Sequence, residues 1–393
     1  MNAFYDAHPY PPPVDDLDAH RREWNDERRR ADFHLFWPGE PYRDDRTILI
    51  AGCGTVQAAR YAVRWPNAAI VGIDVSTSSI EFERLLQRKH RLENLELHEL
   101  PVERVGDLAR TFDRIVCTGV LHHLADPPAG LAALRAVMSP DAALQLMVYA
   151  PYGRAGIYLL QDFFRRLDWG DNDDDVAALA ATLKALPLDH PIVPLLRNSP
   201  DFSSTAGLAD ALLHPRDRAY TVAQFFEFVR SGGLRFGRWV RQAPYSPECG
   251  AFASTPRASR LERVNAEERY AAMELFRGTM VRHSAITYRS DGPVREHLDF
   301  ETDECLEYVP IRAPGTVVVR ERLPAGTAAV LINRSHAYPD LYLPIDAEED
   351  RLFAAVDGRR GIGSIGETPA SRAFFQRLWQ WDHVVVDTSK VRK

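Results

Sequence analysis

Two glycines and one carboxylate carry the first chemical signal in this chain. Gly52 and Gly54 follow the apolar run Ile48-Leu-Ile-Ala, and Asp74 closes a second run, Ala69-Ile-Val-Gly-Ile-Asp, twenty residues after Gly54. Glycines at the end of a buried strand let the backbone turn sharply and approach a ligand. A carboxylate at the tip of the neighbouring strand can accept both hydroxyls of a ribose. Together they read as a nucleoside site. A nicotinamide fingerprint needs a small residue three positions after the second glycine, where a helix packs under a pyrophosphate; here that position is Gln57. A ligand without a pyrophosphate fits better. Further on, His122 and His123 follow an apolar run ending near Thr118 and Gly119, and an imidazole there can take a proton from a hydroxyl or an ammonium.

These residues need strands and helices in alternation to position them. Ile48 to Ile50 reads as a buried parallel strand, and Val56, Ala59, Ala62 and Val63 fit a helix packing back on it. Leu95 to Leu100 and Phe112 to Thr118 read as further strands. Asp126 is placed to cap a helix opened by Pro127 and Pro128, with Leu131, Leu134 and Val137 on its apolar face. Ala143 to Ala150 follows as another strand.

At these positions the chain resembles the class I S-adenosylmethionine-dependent methyltransferases. Ala51-Gly-Cys-Gly is similar to their first motif and Gly72-Ile-Asp-Val to their ribose motif. Phe112-Asp with Val120-Leu-His-His-Leu is similar to the fourth, and Leu134 to Met138-Ser-Pro-Asp to the turn after it. The likeness covers residues 45–150 closely. It implies an α/β fold with a Rossmann-like, mostly parallel sheet of seven strands, and S-adenosyl-L-methionine as cofactor. It also implies the contacts. Ala51, Gly52, Cys53, Gly54 and Gln57 would surround the methionine part, with Thr118 and Gly119 on the same side. Asp74 would hold the ribose, Val75 would pack on the adenine, and Glu99 and Leu100 would meet its amino group and ring. Two departures stand out: the usual acid two positions before the first glycine is Ile50, and the usual third glycine is Val56. A contact to the methionine amino group is thereby removed.

His122 and His123 are the candidate catalytic bases, although the pair is common in the family whatever the substrate. Tyr149 and Tyr152, at the end of the fifth strand, are candidate acceptor-pocket residues. So is Tyr10, which with Tyr5 and His8 lies in a proline-rich arm (residues 1–44) that reads either as a strap over the sheet edge or as a lid. The acidic run Asp171 to Asp175 opens a helix, where consecutive carboxylates complement the helix dipole, so no metal site is expected.

The 393 residues exceed one ordinary domain, and 45% hydrophobic content supports a sizeable core. Cys53, Cys117, Cys249 and Cys305 form no metal-binding pair and read as packed, reduced thiols. A net charge of −7 argues against nucleic acid, and the basic stretch Arg21 to Arg30 is interleaved with acids. No apolar run reaches membrane-spanning length, and a cytoplasmic location is expected. The methyltransferase domain is expected over residues 45–299, with a helical insertion at 151–219 that shapes the acceptor pocket. Residues 300–393 read as a separate α+β unit of short strands and two helices. That unit is similar to small peptide-holding winged-helix domains, notably at Leu352-Phe-Ala-Ala-Val-Asp-Gly-Arg-Arg, a dimer contact being its other use.

The reading that follows is methyl transfer to an oxygen or nitrogen of a small molecule. A protein or peptide acceptor held by the C-terminal region is the alternative, and a non-catalytic nucleotide-binding module is a third.

Overall fold

Strands that are apolar along their whole length must be covered on both faces, and the chain does this with a parallel sheet between helices. The computed structural model describes residues 5, 6, 8–170, 172–198, 202, 204–295 and 298–391. Residues 1–4 and 7 of the expected arm, and Asp171 of the acidic run, lie outside the described residues. The strands of the main sheet are β1 (Thr47–Ala51), β2 (Ala69–Asp74), β3 (Leu95–Glu99), β4 (Phe112–Thr118), β5 (Met138–Tyr149), β6 (Leu234–Trp239) and β7 (Arg282–Arg289). Their order is β3-β2-β1-β4-β5-β7-β6, with β7 antiparallel to β5. In β1, Leu49 and Ile50 have no exposed surface.

Register does the positioning. Ile50 lies beside Gly72 of β2 and Val116 of β4, and Asp74 lies beside Glu99 of β3. The carboxyl ends of β1, β2 and β4 therefore open side by side. The chain leaves β1 for β2 on one flank and returns to β4 on the other, and at such a reversal of strand order a crevice forms.

The expected insertion is helical: Ala155–Arg166, Asp173–Lys184, Val193–Asn198 and Thr205–Leu213. Ile157, Leu160, Phe164, Leu179 and Leu212 form its core. The helix Val222–Ser231 is capped by Thr221, in a reciprocal capping box with Gln224.

The compact units depart from the expected boundaries of 1–44, 45–299 and 300–393. One unit comprises residues 1–23, 45–237 and 277–292; the other comprises 24–44, 238–276 and 293–393. Long-range contacts are the reason, and no local pattern announces them. Within the second unit, β8 (Val309–Arg312) pairs with β12 (Val384–Asp387), while β9 (Thr316–Val319), β10 (Ala329–Asn333) and β11 (Tyr342–Ile345) form a separate antiparallel sheet. The helix Asp26–Phe36 belongs here: Ala31 packs with Ile311 and Val385, and His34 lies 3.4 Å from Asp387. Residues 238–276 belong here too, because buried Asp382 bonds Arg238 at 3.2 Å and the Ala243 amide at 2.9 Å. The helices Ala347–Ala354 and Pro369–Gln380 are the two expected of this region, and a further short helix, Ile362–Ile365, lies between them. All four cysteines are buried and unpaired with one another. No described helix is long and apolar enough to cross a membrane.

Candidate active site

A cavity of about 340 Å³ opens at the carboxyl ends of β1, β2 and β4. Its first half is mostly backbone. Gly52 and Gly54 turn with φ of +72° and +56°, a conformation that side chains resist. A Cβ at Gly52 would lie 2.2 Å from a Val120 methyl, and one at Gly54 would lie 2.7 Å from the Tyr10 carbonyl oxygen. The Gly54 amide donates to Asp74 Oδ2 at 2.8 Å, and the Ser76 amide donates to Asp74 Oδ1 at 2.9 Å. An ionised carboxylate has about four acceptor sites, enough to take these amides and a ribose hydroxyl as well. Burial pushes the Asp74 carboxyl up, and the amides of Ser76 and Gly54 work against that rise. Gln57 donates from Nε2 to Thr118 Oγ1 at 3.1 Å, which ties the glycine bend to the end of β4.

Behind the bend starts the helix Gln57–Arg64. Its Ala58 and Ala59 amides donate to the two oxygens of Glu83, at 2.8 and 2.9 Å. Burial pushes Glu83 up to about 8, against those amides. A pyrophosphate needs the amides of a helix start, and here two of them are taken by a carboxylate. The residues fit an adenosine and a methionine chain, and they do not fit a dinucleotide.

The second half is made of side chains. Tyr5, Tyr10, His123, Tyr149, Arg154, Asp210 and Arg282 line it. Asp210 Oδ1 accepts from the Tyr5 hydroxyl at 3.2 Å, and burial pushes its carboxyl up to about 6. Arg154 lies 3.5 Å above the centre of the Tyr149 ring and pairs with Asp217 at 2.9 Å. Burial opposes its charge, but Tyr149 and Asp217 hold the guanidinium protonated.

The histidine pair divides. His123 lines the cavity, and its Nδ1 lies 2.6 Å from the Arg216 carbonyl oxygen. A carbonyl only accepts, so Nδ1 carries the proton and Nε2 the lone pair. Burial lowers its pKa, with Asp217 pulling the other way. His122 is buried behind it against Tyr149, with ring centres 4.0 Å apart, and neither ring nitrogen has a hydrogen-bond partner. Burial holds it far below the ordinary histidine range.

Of the residues expected from the sequence, Gly52, Cys53, Gly54, Gln57, Asp74, Val75, Leu100, Thr118, Gly119, Tyr10, Tyr149 and His123 meet around this one cavity. Ala51 is buried in β1, outside the lining. Glu99 is exposed; neighbouring residues of a strand point to opposite faces, and the face that meets the cavity is that of Leu100. Tyr152 is 41% exposed and outside the lining, as are His122 and the buried His8. Sequence reading missed Arg154, Asp210 and Glu83. The last two leave a trace: Asp210 interrupts the apolar Leu208 to Leu213, and Glu83 stands on the buried face of its helix with Ile80 and Leu86.

Residues 49–144 match the family described as a methyltransferase domain. An uncharacterized protein of Synechococcus sp. is 29% identical over 325 residues, 79% of this chain and 76% of that one. A ubiquinone biosynthesis O-methyltransferase of Acinetobacter baumannii is 24% identical over 138 residues, covering 35% of this chain and 53% of its own length. Among solved structures, PKMT2 from Rickettsia typhi aligns with 96% of this chain and 78% of its own, at a TM-score of 0.65 and 15% identity. The same protein in complex with AdoHcy aligns at 0.63, with 14% identity, over 96% and 77%. That likeness is one of fold. The strand order and the matched span agree with what the motifs resembled: residues 49–144 match a methyltransferase domain, on a seven-stranded, mostly parallel sheet.

Proposed function

We propose that the chain transfers a methyl group to a nitrogen or oxygen of a small molecule, with nitrogen favoured. The single observation behind this is Asp210, a buried carboxylate in a chamber walled by Tyr5, Tyr10 and Tyr149. An acidic group among aromatic faces suits a cationic amine. Arg154 does not cancel it, because Asp217 already engages that guanidinium.

When bound, S-adenosylmethionine supplies an activated methyl group on sulfur, and transfer is an in-line displacement. The residues of the chain align the partners and handle the proton. The glycine bend and Asp74 hold the adenosine end, and Gln57, Thr118 and Gly119 border the methionine end. Asp210 draws the ammonium into the chamber. His123 Nε2 accepts its proton and frees the nitrogen lone pair for attack. The tyrosine walls exclude water and fix the approach.

A protein or peptide amine is the second reading, favoured by the alignment with PKMT2 running through the C-terminal unit. There the helices Ala347–Ala354 and Pro369–Gln380 would serve as a winged-helix-like holder. Methyl-labelled cofactor separates the readings when the whole chain is incubated with pooled small amines and phenols, and with protein fractions. Label in the small-molecule pool supports the first reading. Label confined to protein supports the second, and label in neither counts against methyl transfer.

A further inference from the structure

Glu83 is a buried acid that the mechanism above does not use. It stands on the helix Thr77–His90 and reaches across to the helix Gln57–Arg64, taking the Ala58 and Ala59 amides on its two oxygens. No acid comes from β1, whose last residues are Ile50 and Ala51. The start of a helix carries roughly half a positive charge and favours anions. A carboxylate bonded to two of the first amides cancels that charge and leaves the glycine bend hospitable to a cation.

We propose that Glu83 sets the charge preference of the cofactor half, so that the positively charged sulfonium cofactor binds more tightly than its neutral, demethylated product. The proposal rests on S-adenosylmethionine as the ligand, and Glu83 acts as a positioning residue without touching it. The groups that face Glu83 are Asp74 at the end of β2, Arg60 on the helix it caps and the Cys53 thiol of the bend. Asp74 works against its ionisation and Arg60 assists it, while burial raises the Cys53 thiol far out of reach of neutral pH. Because burial lifts Glu83 to about 8, a cation arriving at the bend also draws a proton off it.

Calorimetry on the full chain tests this, with S-adenosylmethionine and S-adenosylhomocysteine titrated from about pH 6.5 to about pH 9, bracketing half-ionisation. The expected result is an affinity ratio that favours the cation increasingly as pH rises, by roughly two- to fivefold. Near neutral pH, proton release should accompany binding of the cation and not of the product. In Glu83→Gln the pH dependence and the extra proton should vanish, and the ratio should fall. A ratio flat with pH in the wild type overturns the proposal, as does an equal loss for both ligands in the variant. If the variant does not fold, the wild-type series decides alone. Failure of both ligands to bind the wild type would instead sink the cofactor reading beneath it.

Discussion

The two halves of the cavity are built on opposite plans. The cofactor half is backbone: strand ends, two glycines with positive φ, and amides that a single carboxylate gathers at 2.8 and 2.9 Å. The acceptor half is side chains from remote segments, with Tyr5, His123, Tyr149, Arg154 and Asp210 brought together from the N-terminal arm, a short 3-10 turn, a strand and two parts of the helical insertion. Backbone geometry is fixed by the sheet and serves one ligand. A wall of side chains can be recut for a new acceptor without disturbing the sheet.

Five substitutions would break or sharpen this contrast. His123→Ala should lower the rate of transfer by about 10²–10⁴-fold while cofactor affinity holds, as loss of a general base does. Burial depresses the His123 pKa, so wild-type activity should fall only on the acid side of the ordinary histidine range, where the imidazole becomes protonated. His122→Ala should leave that pH profile in place, and steady-state rates across pH would show otherwise. Arg154→Ala should cost about 3–5 kcal/mol in urea unfolding, because Asp217 would remain buried without its partner. Asp74→Ala should weaken cofactor binding by about 1.5–3 kcal/mol in calorimetry, and an affinity within twofold of wild type would misplace the ribose. Tyr5→Phe, which removes one hydrogen bond to Asp210, should shift acceptor affinity by only about 0.5–1.5 kcal/mol and spare the cofactor.

The same contrast explains what could be read from the sequence. The cofactor half follows from short-range grammar: Gly52 and Gly54 end an apolar run, Asp74 ends the next, and strand pairing does the rest. Leu100, Thr118 and Glu99 came from the family resemblance instead; the first two line the cavity, and Glu99 does not, because adjacent residues of one strand face opposite ways. The acceptor half depends on pairs remote in sequence, such as Arg154 with Asp217 and Tyr5 with Asp210, which no local pattern joins. The compact units likewise rest on remote pairs, Asp387 with His34 and Asp382 with Arg238, that no local pattern joins.

The contact between Tyr5 and Asp210 spans 205 residues, whereas that between Gly54 and Asp74 spans 20. Closing so long a loop costs more chain entropy. In refolding, adenosine recognition should thus mature early and the acceptor chamber last. Mild denaturant should peel the N-terminal arm away first, leaving a molecule that still grips its nucleoside but has lost its choice of substrate.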